Sequence, residues 1–166
     1  MRTMLLAMAL LALAPAAPAQ DIESLERALE KARFEAPLAL RPFVVLARPA
    51  KYFGDYEQRR DTVYARSETL YFYFEPKNLV VVKNSQGLFE PAFEVDLEVQ
   101  PPKGAPTRKP GYVTFRLPGR SRVQDYFVNL ALPLGEAPSG VYNVRVVVRD
   151  LNSNKTAKVD QSVTVK

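Results

Sequence analysis

Phe93-Glu94-Val95-Asp96-Leu97-Glu98-Val99 alternates apolar and acidic side chains without interruption. Successive side chains of an extended chain point to opposite faces. Phe93, Val95, Leu97 and Val99 therefore share one surface, and Glu94, Asp96 and Glu98 share the other. Such a segment is a strand of an antiparallel sheet with one dry and one wet side. The same period of two recurs on either side of it. Upstream, residues 69–75 set Leu70, Phe72 and Phe74 against Tyr71 and Tyr73, and Pro76 is expected to close the strand. Residues 43–46 form a shorter strand between Pro42 and Pro49, and 79–82 is a brief apolar run. Residues 50–66 contain Gly54, many charges and no clear period, which predicts a loop with at most a short strand.

Downstream, Val113, Phe115 and Leu117 alternate with Tyr112, Thr114 and Arg116. Residues 123–132 place Tyr126, Val128, Leu130 and Leu132 on one face, and 141–149 do the same with Tyr142, Val144, Val146 and Val148. Val159, Val163 and Val165 mark a closing strand over 156–165. Pro101, Pro102, Gly104, Pro106 and Pro110 predict a long loop, Pro118-Gly119 a turn, and residues 150–155 a hairpin loop. Strands this closely spaced leave no room for the crossovers that a parallel sheet needs. Seven or eight short strands without interleaved helices predict an all-β, antiparallel sandwich.

One helix precedes the strands. Ile22, Leu25, Leu29 and Ala32 recur at spacings of three, four and three, which aligns them on one face of a helix over 21–34. Asp21 is the expected N-cap, and Glu23 and Glu26 suit the positive end of the helix dipole. The stripe fits a helix packed on the following domain. Its heptad spacing also fits a short self-association seam, although two heptads are few for a coiled coil. Pro37 marks the outer limit of the helix.

Residues 1–19 have the order of a secretory signal: Arg2, an apolar run from Met4 to Leu13, then Ala17-Pro18-Ala19. Cleavage is expected after Ala19. The run is short for a membrane span, so no transmembrane segment is expected in the mature chain. The domain plan is thus a signal peptide at 1–19, a helix and linker at 20–36, and a sandwich at 37–166. A periplasmic or secreted location follows, with a Gram-negative bacterium as the expected source.

The chain has no cysteine and no histidine. That removes Ser–His and Cys–His nucleophile pairs, the usual zinc sites and haem ligation. Carboxylates, Lys, Tyr and Ser remain, a thin set for catalysis, and the protein is read as a non-enzyme without cofactor or metal. The net charge of +5 falls far short of a nucleic-acid binder's basic footprint.

Two stretches resemble known exported proteins. Gly140-Val141-Tyr142, Asp150 and the polar turn Ser153 to Lys155 are similar to the end of bacterial immunoglobulin-like or fibronectin-III-like domains. In those domains a Gly-x-Tyr opens the penultimate strand, an Asp ends it, and a Val-rich strand follows. Phe53-Gly54-Asp55-Tyr56 together with Tyr71-Phe72-Tyr73-Phe74-Glu75-Pro76 resembles a group of uncharacterised exported bacterial proteins. Those share a Phe-Gly-x-Tyr turn and a Tyr-x-Glu-Pro strand end, but carry a Gly before the acid where this chain has Ser67 before Glu68. The resemblance implies an Ig-like sandwich and an exported location. It brings no catalytic residues.

Four groups of residues are candidate sites. Tyr71 and Tyr73, with Tyr52 and Tyr56 nearby and Tyr64 beyond them, could form an outward aromatic platform for a sugar or an aliphatic ligand. Ordinary strand tyrosines under a loop or helix would look the same. Lys103, Arg108, Lys109, Arg116, Arg120 and Arg122 run without an intervening acid and could meet an anionic partner. The acidic 94–98 segment could equally cancel that field. Asp150-Leu151-Asn152-Ser153-Asn154 opens like a calcium loop, but Lys155 and Gln161 stand where Gly and Glu belong, so a hairpin turn is expected. Glu57, Asp61, Glu68 and Glu75 could supply a hydrolase pair, but Arg59, Arg60 and Arg66 among them favour surface ion pairs. The leading expectation is a non-catalytic periplasmic adaptor that contacts another envelope protein by a sheet face, edge or loop. A glycan- or lipid-binding module is the second reading, and a carboxylate hydrolase the third.

Overall fold

The computed structural model describes residues 21–166, so the expected signal segment lies outside the described residues. One helix, α1 (Ile22–Glu35), is followed by nine strands: β1 (Ala39–Leu46), β2 (Val63–Tyr64), β3 (Thr69–Lys77), β4 (Val81–Lys83), β5 (Phe89–Gln100), β6 (Thr107–Arg116), β7 (Val128–Pro133), β8 (Gly140–Asp150) and β9 (Thr156–Val165). The count exceeds the expected seven or eight because β2 and β4 are fragments of two and three residues.

The strands form two facing sheets. One has the order β1-β3-β7. The other runs β9-β8-β5, with β6 on the far edge of β5, β4 on the first residues of β5, and β2 parallel to the end of β9. All other pairings are antiparallel. The fold is an all-β sandwich with a short helix, as the period of two predicts. The Tyr142 hydroxyl donates to the Pro138 carbonyl at 2.8 Å, which ties the start of β8 to the turn before it.

The core lies between the sheets. Leu70, Phe72 and Phe74 of β3 meet Phe93, Val95 and Leu97 of β5 and Val144, Val146 and Val148 of β8, all buried. Phe93 stacks on Phe115 with ring centroids 4.7 Å apart. The outer face of the larger sheet is wet. There Arg149 holds Glu94 at 2.8 Å and also pairs with Asp96, and Arg145 meets Asp160 at 2.6 Å.

Several expected boundaries moved, each for a local reason. Pro42 and Pro76 do not bound strands but lie inside β1 and β3. Pro42 sits in a register shift between Leu40 and Phe43. Pro76 lies beyond the last β3–β7 partners, Phe74 and Val128, so no neighbour on that side misses its N–H. The expected loop 101–110 is shorter, because β6 begins at Thr107 and runs through Pro110. It tolerates that proline as an outer strand with a bulge opposite Asp96, where Gly111 takes φ 59° and donates its N–H to Asp96 at 2.8 Å. The strand expected over 123–132 is confined to β7, and Tyr126 precedes it.

Candidate functional site

The tyrosine platform is not on the surface. Tyr73 is fully buried and Tyr71 half-buried. Residues 47–56 fold across the outer face of the smaller sheet, and Ala50, Leu46 and Tyr73 form a second small core there with Val44, Tyr71 and Phe127. The Tyr73 hydroxyl donates to the buried Glu75 at 2.6 Å and accepts from Gly54 N–H at 2.9 Å. Burial and the Glu75 carboxylate push its pKa up to about 12. Tyr56 packs on Tyr73 from above, centroids 4.9 Å apart. Tyr52 and Tyr56 are exposed on this loop, but the ring beneath them is sealed. Tyr64, on β2, is buried in the main core.

This covering loop is itself pinned by charge. Arg48 makes a two-pronged contact with Asp55, at 2.8 and 3.2 Å, and Asp55 also accepts from Lys51 N–H at 3.0 Å. These donors hold the Asp55 carboxyl at about 2, below its ordinary 3.8. A carboxyl depressed in the folded state contributes stability above its unfolded pKa and loses it as pH falls toward the folded value. The 47–56 loop is therefore expected to loosen between about pH 4 and pH 2, before the sheets unfold. A carbon-13 titration of the Asp55 carboxyl, with its midpoint near 2 and coincident shifts at Gly54 and Tyr56, would show this.

The basic stretch does not gather into one patch. Arg108 pairs with Glu98 at 3.1 Å, Arg116 with Glu90 at 3.2 Å and Arg122 with Glu30 of the helix at 2.9 Å. Arg122 also lies over the Phe89 ring. Lys103 and Arg120 are exposed in loops. Lys109 lies 5.9 Å from the centre of the Tyr112 ring, with no ion pair among the described residues. The four carboxylates of the 57–75 region also have partners. Glu57 meets Arg48, Asp61 and Glu68 meet Arg59, and Glu75 meets Lys77. Asp150 faces inward, where it accepts from Val80 N–H, Asn152 N–H and the Ser153 hydroxyl at 2.8–2.9 Å.

The sheet edges point to a different place. The β1 edge carries Arg41 and Pro42 and is joined by residues 57–59, through Ala47 N–H to Glu57 and Arg59 N–H to Val45. The β9 edge carries Lys158 and Asp160 and is capped by β2. The β6 edge carries Arg108, Lys109, Pro110 and Arg116. Charges and prolines of this kind discourage strand-to-strand addition. On β7 charges are missing, with none from Tyr126 to Gly135, and its one proline, Pro133, is the last residue of the strand.

β7 pairs with β3 alone. Leu134 N–H bonds the Glu68 carbonyl on the β3 side, and the Ala131 carbonyl accepts from the Tyr112 hydroxyl on the other. The even residues thus turn their main-chain groups to β3, and Asn129 and Ala131 turn theirs away. Beside this edge, between the sheets, lies a cleft of about 330 Å³. It is lined by Leu97, Val99, Thr107, Lys109, Leu132 and Tyr142, together with Pro101 and Pro138. Its polar side chains are Lys109, Thr107 and Tyr142, whose hydroxyl is spent on the Pro138 carbonyl. Of the residues singled out in the sequence, only Lys109 lines it.

No protein-family model matches the chain, and no curated protein matches it.

Proposed function

We propose that the protein is a non-catalytic binding module of the bacterial envelope that takes an extended segment of a partner protein as an added strand on β7. The observation that carries this reading is the coincidence of an uncharged edge that no further strand covers among the described residues with a largely apolar cleft beside it. Main-chain bonds to Asn129 and Ala131, the Ala131 carbonyl being taken over from the Tyr112 hydroxyl, would supply affinity without regard to sequence. Every second side chain of the segment would enter the cleft, which selects for apolar residues there. An acidic residue near Lys109 would meet a cation that makes no ion pair among the described residues.

The edge has a clean test. Ala131→Pro removes an outward N–H and leaves the β3 pairing untouched, a substitution that an edge strand tolerates. Eight-residue peptides alternating Val or Leu with Thr, with and without one Asp, serve as probes. Binding is expected to shift and protect the Asn129 and Ala131 amides, to improve with the Asp, and to be lost in Ala131→Pro. Peptides that leave these amides unchanged, or bind the proline variant equally, would overturn the reading. The cleft's lining also favours the second reading in one form, an acyl chain with its acid head at Lys109. Acyl binding needs no main-chain donor and would survive Ala131→Pro.

A further inference from the structure

Two apolar features lie at the surface, the stripe of α1 and the edge of β7. The helix turns Glu30 and Phe34 toward residues 79–82. The Glu30–Arg122 ion pair holds it there, with the Lys155 ammonium, which donates to the Arg33 carbonyl at 2.8 Å. At 100° per residue the Ile22–Leu25–Leu29–Ala32 stripe lies on the opposite side. Ile22 is 73% exposed, Leu25 47% and Leu29 49%. The expectation that this stripe packs on the domain is therefore corrected. The β7 edge differs, because one side chain reaches it from the other sheet.

That side chain is Tyr112 of β6, half-buried against the main core. Its hydroxyl donates to the Ala131 carbonyl at 2.9 Å, so the bond runs between the two sheets. Lys109, which lines the cleft, lies 5.9 Å from the centre of the Tyr112 ring. Ala131 stands opposite Tyr71 in the register, but its carbonyl faces away from β3 and is one of the groups an added strand needs. The Tyr112 bond thus occupies the docking edge itself. The other edges are closed by charges, prolines or a capping strand, which are fixed covers. A bond between a neutral hydroxyl and a carbonyl is a removable one, since a single hydrogen bond of this kind is modest in net terms.

We infer that Tyr112 is the guard of the β7 edge, its hydroxyl masking the Ala131 carbonyl until an incoming strand displaces it. The inference rests on the β7 reading and adds the regulation of that site. A masked edge lowers the apparent affinity of every added strand by the fraction of molecules in which the mask is open. Segments held by main-chain bonds alone then fall below useful affinity. Segments that also bury apolar side chains against Leu97, Val99 and Leu132 keep enough to bind. The same mask keeps the β7 edges of two copies from pairing with each other.

Tyr112→Phe tests this, because it keeps the ring and removes only the hydroxyl. The alternating Val/Leu–Thr peptides are expected to bind Tyr112→Phe about fivefold more tightly than the parent protein, the equivalent of one neutral hydrogen bond. The gain should be equal with and without the Asp, appear as stronger protection of the Asn129 and Ala131 amides, and vanish when Ala131→Pro is added. A hydroxyl that merely ties the sheets together would give the opposite sign, since a loosened cleft binds less well. Unchanged or weaker binding by Tyr112→Phe, with the parent protein binding at β7, overturns the guard and leaves the β7 reading standing. If neither protein binds any peptide, the β7 reading falls, and sedimentation of the two proteins without peptide decides the guard. Greater self-association of Tyr112→Phe, abolished by Ala131→Pro, then supports it, and equal self-association overturns it.

Discussion

Phe93→Ala is expected to cost about 4 kcal/mol, the range for emptying an aromatic site in a packed core. Phe93 is 1% exposed on the central strand of the larger sheet and lies against Phe115 at 4.7 Å. Its main-chain partners are Phe115 on one side and Asp150 on the other, so the backbone around it is held in both directions and cannot collapse into the void. A domain of this size has a total stability of about 5–15 kcal/mol, so the loss takes a large share of it. Urea unfolding should show the midpoint falling at an unchanged slope. Phe93→Leu fills most of the volume and should recover more than half of the loss. A decrease below about 1 kcal/mol for the alanine variant would mean that the interior is not packed as described.

Asp150→Ala should cost about 3 kcal/mol, by a different route. No large volume is lost. Three donors lose their acceptor: Val80 N–H, Asn152 N–H and the Ser153 hydroxyl. Val80 is 9% exposed and Asp150 3%, so water cannot easily replace the carboxylate, and an unsatisfied buried donor carries its full desolvation cost. The contact ties the end of β8 to Val80, the residue before β4, across 70 positions of sequence. Hydrogen exchange should therefore show the amides of residues 80–83 losing protection before those of the β5–β8 pairing. Asp150→Asn keeps one oxygen and should fall between the two. Phe93 and Asp150 are register partners, so the double variant should lose less than the sum of the single ones.

The sandwich was legible because its wettest face is also its most regular. Between 93 and 99 every second residue is an acid, and 141–149 opposes them with Arg145 and Arg149. Alternation says which side chains share a face but not what lies above that face. For Glu94 and Asp96 the answer is a partly exposed arginine; for Tyr71 and Tyr73 it is the 47–56 loop. The prolines misled for a related reason. Pro76 and Pro110 end strands only if a neighbour needs their N–H, and the neighbour is set by topology. The helix shows the same limit. Its stripe was plain, but the direction it faces rests on Glu30 meeting Arg122 and Arg33 meeting Lys155, contacts between distant parts of the chain. The charge-free run from Tyr126 to Gly135 was equally visible. It became a candidate site only once β7 proved to be the last strand of its sheet.

The order β1-β3-β7 has a kinetic corollary. β3 must wait for a neighbour that follows three other strands in the chain, and closing so large an intervening loop precedes any reward from contact. Topologies governed by such distant pairings acquire their native state in milliseconds to seconds rather than microseconds. During that delay the aromatic run at residues 71–74 has one border unmatched, and this interval, more than the finished molecule, sets how readily the newly made chain is lost to aggregation.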